Sequence, residues 1–274
     1  MSALRRRVYD WLETRDGLAP ACPPSGIRVV PLQTANPALR AWYDGRGALL
    51  GVKRDWLAAA ERLADEIGPV ELFSAFGTYE LARFTLADGL GVWGPTWYYA
   101  GDAKTLTPAT DPRVRRVAPE EVTQIDRAKF WHSVPDASSP AFGVFEGDNL
   151  VALSVAWQRA EEVWEIGLDA LPEATGRGLG RAVFSAAARW ILDRDGLVVA
   201  TTAPWNVPSV RTLRRCGMHL VVSELRDAPA PMRVPPQTLG SPMPGCELRN
   251  YYPDWAQNHA IRPRLPASGT PPER

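Results

Sequence analysis

Residues 168–182 read Leu-Asp-Ala-Leu-Pro-Glu-Ala-Thr-Gly-Arg-Gly-Leu-Gly-Arg-Ala, the end of an apolar strand running through a glycine-rich turn into an amphipathic helix. Gly176, Gly178 and Gly180 have no Cβ to hold a ligand away. The helix behind them opens with N–H groups that lack intrahelical acceptors, at the positive end of its dipole. A turn of this kind suits an anion, and a diphosphate in particular. Spacing excludes two other phosphate turns. A dinucleotide turn needs G-x-G-x-x-G, but here the third glycine follows after one residue and position 183 is Val. A Walker loop needs Gly-Lys followed by Ser or Thr, which the sequence lacks. Taken alone, the glycines also suit a tightly packed strand-to-helix turn that binds nothing.

A second segment follows at 196–218. Gly-Leu-Val-Val-Ala-Thr-Thr-Ala is a strand by its β-branched content, and Trp-Asn-Val-Pro-Ser-Val-Arg-Thr-Leu-Arg-Arg-Cys-Gly-Met comes after it. Asn206 is a good helix N-cap, Pro208 is tolerated in a first turn, and Gly217 suits the position past the C-terminus. By itself Asn206 reads equally well as a cap and nothing more. In order and joined by a helix and a strand, the two segments resemble the GNAT superfamily of acyl-CoA-dependent N-acetyltransferases. Its CoA signature R/Q-x-x-G-x-G/A falls on Thr175, Gly178 and Gly180, with Thr175 where Arg or Gln is usual. Its later N-x-x-A/S segment, ending G-F/M, falls on Asn206, Ser209, Gly217 and Met218. The match covers about residues 113–226. With Phe142–Glu146 and Glu165–Gly167 it is similar to a two-part bacterial branch that includes antibiotic self-resistance acetyltransferases.

The resemblance implies acetyl-CoA as acyl donor and no metal. It places the diphosphate on the N–H groups of Thr175, Gly176, Arg177, Gly178, Leu179 and Gly180, with Arg177 or Arg181 adding charge, and the thioester carbonyl near the backbone of Leu168, Asp169 and Ala170. Asn206, with Ser209 in the same first turn, would meet the pantetheine arm or a bound water. Family members commonly carry a Tyr seven residues after that Asn to protonate the leaving thiolate, but this sequence has Leu213. For a base, Glu165 and Asp169 stand four apart on one strand, hence on one face. Either could draw a proton from an ammonium acceptor or bind its charge, and either could equally point into solvent. The catalytic candidates are therefore Glu165, Asp169 and Asn206. His132 is a further candidate, although a surface or packing histidine is its ordinary reading.

The elements that must position these residues are strand Arg113–Val117, helix Pro119–Phe130, and strands Ala141–Glu146, Leu150–Gln158 and Val163–Asp169. Helix Gly178–Arg194, strand 197–203, helix 207–216 and strand 218–226 follow. The order β-α-β-β-β-α-β-α-β predicts an α/β fold, a GNAT-like mixed sheet flanked by helices. Residues 1–110 read as a second, smaller α/β domain: helix 1–13, strands Ile27–Pro31 and Ala48–Val52, helix Trp56–Ile67, strand Val70–Ala75, helix Thr78–Leu86 and strand Leu90–Tyr99. The succession Val70–Ala75, Thr78–Asp88, Gly89 and Leu90–Tyr99 repeats that of 197–226, so this part is read as a degenerate GNAT-like half. The acetyltransferase domain then spans 111–228. Residues 229–274 form a Pro-rich extension in which Glu247–Trp255 is expected to dock as a last strand or cap and Arg262–Arg274 to be loose.

Formal charge is zero and no long basic stripe exists, so nucleic acid is not an expected partner. No apolar run approaches the roughly 18 residues that span a bilayer, and Met-Ser-Ala-Leu-Arg-Arg-Arg lacks the apolar core of a secretory signal. Cys22, Cys216 and Cys246 are odd in number and show no metal spacing, which predicts reduced thiols in a cytoplasmic protein. The function expected is acetyl transfer to a primary amine of a small molecule. A protein amine, a non-catalytic acyl-CoA-binding or regulatory module, and a homodimer stay open.

Overall fold

A computed structural model of the protein describes residues 2–33, 36–136 and 138–230. In chain order it contains helix α1 (Ala3–Asp16), strands β1 (Ile27–Pro31), β2 (Leu39–Tyr43) and β3 (Ala48–Val52), and helices α2 (Leu57–Glu66), α3 (Pro69–Leu72) and α4 (Ala75–Thr85). Strands β4 (Leu90–Gly101) and β5 (Val114–Arg116), helix α5 (Pro119–Val122), and strands β6 (Ala141–Glu146), β7 (Asn149–Gln158) and β8 (Val163–Ala170) come next. Helix α6 (Leu179–Leu192), strand β9 (Leu197–Thr202), helix α7 (Val207–Arg215) and strand β10 (His219–Pro229) complete it. The expected features at Glu247–Trp255 and Arg262–Arg274, and Cys246, lie outside the described residues. Among the described residues no helix is long and apolar enough to cross a membrane.

The described residues cluster into two compact units, 2–15 with 97–221 and 16–96 with 222–230. Helix α1 thus falls with the first unit, where Arg7 pairs with Glu162 at 2.8 Å and Trp11 meets Tyr98.

In the first unit the strand order is β4-β9-β8-β7-β6-β5, antiparallel throughout except for the parallel pair β8 and β9. Neighbouring residues on a strand face opposite ways. Ile166, Val198 and Ala200 face Phe184, Ala187 and Ile191 of α6 and Leu213 of α7. Leu153 and Val155, on the other face of β7, pack with Val117 and Phe130. That second face also carries α1, since Trp11 meets Tyr98 while Tyr99 joins the core under α6. The sheet is therefore a middle layer with an apolar contact on each side.

The second unit sets β1, β3, β2 and β10 side by side, β1 parallel to β3 and the rest antiparallel. Leu50, Trp56, Leu63, Leu81 and Leu225 are among its core. Strand β2 was not expected. It carries Arg40, whose side chain is largely buried and whose charge Glu224 of β10 and Asp16, at 3.5 Å, balance.

Two expected elements differ. Val70–Ala75 is not a strand: the chain forms α3, a turn, and the start of α4. Pro69 opens α3, the Glu71 carboxylate accepts from the Gly68 N–H at 2.6 Å, and the Ser74 hydroxyl caps α4. These helix-start signals outweigh the β-branched Val70, which is exposed. With the strand gone, the repeat of 197–226 within residues 70–99 is not present in the form expected. The helix expected over Pro119–Phe130 stops at Val122. The Thr123 hydroxyl bonds the Glu120 carbonyl and Asp126 caps Ala128, local bonds that compete with helix propagation.

Cys22 donates its S–H to the Trp42 carbonyl at 3.3 Å. Burial, reinforced by the charge of Asp44, raises its thiol from the ordinary 9.0 to about 11. Alkylation proceeds through the thiolate. Cys22 in the folded protein is therefore expected to resist iodoacetamide at pH 8 and to react as pH nears 11, followed by mass spectrometry of its peptide. Ready modification at pH 8 contradicts this.

Candidate active site

Strand β8 has two unequal neighbours. It pairs with β7 along its whole length, from Trp164 opposite Gln158 to Ala170 opposite Ala152. With β9 the ladder runs only from Val163 opposite Leu197 to Glu165 opposite Val199. Beyond Glu165 the β9-facing edge of β8 is open. The Leu171 N–H donates to the Val151 carbonyl, on the β7 side, at 2.9 Å. Successive N–H groups of an extended strand point in opposite directions. The N–H groups of Leu168 and Ala170 therefore face the open edge, and that of Asp169 faces β7.

The glycine turn follows. Thr175 is tied back by its hydroxyl to the Leu171 carbonyl at 3.3 Å. Gly176 and Gly178 have φ of 80° and 77°, a left-handed backbone that favours glycine, and an added Cβ on either would meet nothing within 4 Å. Gly178 is the N-cap of α6 and provides no side-chain acceptor. As a result the backbone N–H groups from Gly176 to Arg181 have no acceptor among the described residues. At Gly180 an added Cβ would come only to 3.8 Å from the Leu168 methyls, so the mouth of the turn is clear. Leu179, buried under the turn, anchors it to Val144, Ala152 and Val183. The two arginines are already engaged. Arg177 pairs with Glu146, and that hydrogen bond holds the Glu146 carboxyl below its ordinary range. Arg181 lies by the Cys216 thiol, which burial pushes up. An acyl-CoA diphosphate fits this donor set: amides without acceptors, no obstructing Cβ and a helix start.

Glu165 and Asp169 share the face of β8 opposite α6, and both are occupied. Glu165 accepts from Arg159 Nε at 2.7 Å through one oxygen and from the Thr201 hydroxyl at 3.1 Å through the other. Asp169 Oδ2 accepts from the N–H groups of His132 and Ser133, at 2.9 and 2.8 Å, and from the Ser133 hydroxyl at 2.7 Å. Asp169 Oδ1 lies 2.9 Å from His132 Nδ1. The His132 carbonyl and the Trp157 ring occupy the space that a Cβ on Gly167 would need. Asn206 Oδ1 caps α7 by accepting from the Ser209 N–H at 3.3 Å, which brings these two residues together beside the end of β9. Leu213 is buried in the core beneath α6 and α7. Ser133, Arg159 and Thr201 carried no sequence signal, because each becomes relevant only through a partner brought close by the fold.

Residues 97–219 match the family model described as an acetyltransferase (GNAT) domain. No curated protein matches the chain. Among solved structures, the chain is similar to a GCN5-related N-acetyltransferase from Kribbella flavida, at 16% identity over 84% of this chain and 97% of that one, with a TM-score of 0.45. It is also similar to a GNAT-family protein from Novosphingobium aromaticivorans, at 17% identity over 51% of this chain and 66% of that one, TM-score 0.43. An acetyltransferase from Colwellia psychrerythraea is similar at 12% identity over 52% and 58%, TM-score 0.41. The chain spans less than two thirds of the last two proteins. At such low TM-scores none of these likenesses bears on what the chain does.

Gly167 gives a test of the site's packing. Gly167→Ala must displace the backbone of His132 or the Trp157 ring, and is expected to cost about 1–3 kcal/mol, the range for overpacking. Urea unfolding checks this, and an unchanged midpoint would mean that the loop does not lie on β8.

Proposed function

We propose, on the premise that residues 97–219 are a GNAT acetyltransferase domain, that the protein moves an acetyl group from acetyl-CoA to a primary amine of a small molecule. One observation carries this reading. The open edge of β8 leads directly into a turn whose N–H groups from Gly176 to Arg181 have no acceptor among the described residues. A diphosphate on those amides leaves the pantetheine arm to run along the open edge, between β8 and the start of α7.

Acetyl transfer needs an amine lone pair within reach of the thioester carbonyl and donors where negative charge develops on its oxygen. The N–H groups of Leu168 and Ala170 are the proposed oxyanion donors. They are held in place because β7 fixes the other edge of β8. Gly176 to Arg181 hold the diphosphate, the Thr175 N–H being spent on the Pro172 carbonyl at 3.1 Å, and Asn206 and Ser209 meet the pantetheine arm. Asn206 Oδ1 is used in capping, which leaves its amide NH₂ to donate. Glu165 places negative charge on the acceptor face, although Arg159 balances it. Cys22 and Cys216 are free thiols, in keeping with a reducing cytoplasm.

Leu213 favours a second reading, an acyl-CoA-binding module without turnover, because a buried core leucine stands where the resemblance implies an acid. Calorimetric titration of acetyl-CoA into the wild type and a Gly178→Glu variant tests the donor site. The wild type is expected to bind, and the variant, with a carboxylate among the cradle amides, to lose binding by at least about tenfold, 1.4 kcal/mol. Equal binding by both would place the donor elsewhere. Release of CoA thiol in the presence of primary amines then separates an enzyme from a binding module.

A further inference from the structure

We infer that His132, oriented by Asp169, is the general base that deprotonates the acceptor amine. This rests on the acetyl-transfer reading above and adds to it a residue and a proton path. Asp169 accepts three hydrogen bonds on Oδ2 and one on Oδ1. Those four donors surround a carboxylate that is only 10% exposed, so an incoming ammonium has little access to it. The group that Asp169 supports can take the proton instead.

His132 is that group. An ionised carboxylate only accepts, so the ring hydrogen in the neutral imidazole belongs on Nδ1 and the lone pair on Nε2. Nε2 has no protein partner among the described residues, and the side chain is 45% exposed. The ring meets the carboxylate through Nδ1 and Trp131, whose ring centroid lies 3.4 Å away, and the His132 backbone N–H donates to the same carboxylate. Ser133 is fully buried and fixes the next residue to the same oxygen. A carboxylate, an imidazole and a free nitrogen in sequence form the base-and-orienter arrangement that acid–base catalysis requires.

The position also suits the reaction. Asp169 stands between Leu168 and Ala170, whose N–H groups face the open edge of β8. Its side chain projects to the face opposite α6, where the His132 backbone lies over Gly167. A donor running along the edge from the glycine turn therefore has its carbonyl beside the residue that carries the base. The acceptor enters from the His132 side.

In the step itself, the ammonium R–NH₃⁺ gives one proton to Nε2. The freed nitrogen lone pair attacks the thioester carbon, the C–N bond forms, and the carbonyl pair moves to oxygen against the Leu168 and Ala170 N–H groups. On collapse the C–S bond breaks with its pair on sulfur. The second proton lost by nitrogen goes to that thiolate, giving CoA–SH and the amide, and His132 releases the first to solvent.

The test uses the full chain with acetyl-CoA and three primary amines, 2-phenylethylamine, spermidine and kanamycin, reading CoA thiol release against pH. His132→Gln is expected to bind acetyl-CoA as the wild type does and to keep its unfolding midpoint, but to lose kcat about 100-fold or more. The limb of its pH profile that reports the base is expected to vanish, and added imidazole to restore part of the rate in His132→Ala. Asp169→Asn tests the positioning residue. Its kcat is expected to fall while the KM for the amine stays at the wild-type value, and Asp169→Glu to recover part of the rate, a pattern that loss of packing alone would not produce. Turnover by His132→Gln at the wild-type rate with an unchanged profile overturns the inference and leaves the acetyl-transfer reading standing. Binding of acetyl-CoA with no turnover of any amine by the wild type overturns both.

Discussion

The parallel ladder between β8 and β9 ends at Glu165 and Val199, and the proposed site depends on that ending. Were the ladder to continue, the N–H groups of Leu168 and Ala170 would be spent on β9 and nothing could lie between the strands. The gap exists because β8 is held by another partner. Its pairing with β7 continues to Ala170, and Leu171 extends it by one further bond. Ile166 and Leu168 pack under α6 on one face of β8. The opposite face is closed over Gly167 by the loop that Asp169 secures. A strand fixed on one edge and on both faces can leave its other edge unpaired without collapsing. Buried backbone polar groups are normally satisfied, so an open edge of this kind calls for a ligand or solvent.

The turn after β8 extends the same constraint into the helix. A Ser, Asp or Asn at position 178 would cap α6 and use an amide that an anion needs. Glycine provides the left-handed bend without doing so. Stability lost at an uncapped start is offset below it by Leu179, Val183 and Phe184, all buried. The unit thus combines a rigid base with exposed donors, the arrangement that pre-organises a site.

The sequence makes the strands of the first unit legible where β-branched and aromatic runs are bounded by turn residues, as at Ala141–Glu146 and Val163–Ala170. The glycine turn is legible because its chemistry is local: three glycines, a helix start and a preceding strand. Val70 and the stretch after Val122 mislead for the opposite reason. There Pro69 fixes the backbone at the start of α3, and Glu71, Ser74, Thr123 and Asp126 set the conformation through single hydrogen bonds that a propensity window averages away. The link between Asp169 and His132 spans 37 residues and follows from no spacing rule. Asp169 reads as a candidate base from its place on the strand, and only the fold reveals that its carboxylate is surrounded by the donors of another segment. In the same way, the Arg159 and Thr201 bonds to Glu165 arise from the register of β8 against its neighbours.

Amide hydrogen exchange with and without saturating acetyl-CoA addresses the open edge and the glycine turn together. Exchange slowed at Leu168, Ala170 and Gly176–Arg181 when acetyl-CoA is added, with little change at Asp169, whose N–H faces β7, is the expected result. Protection confined to other segments, or no change at these amides while acetyl-CoA is bound, would contradict a donor site built on the unpaired edge of β8.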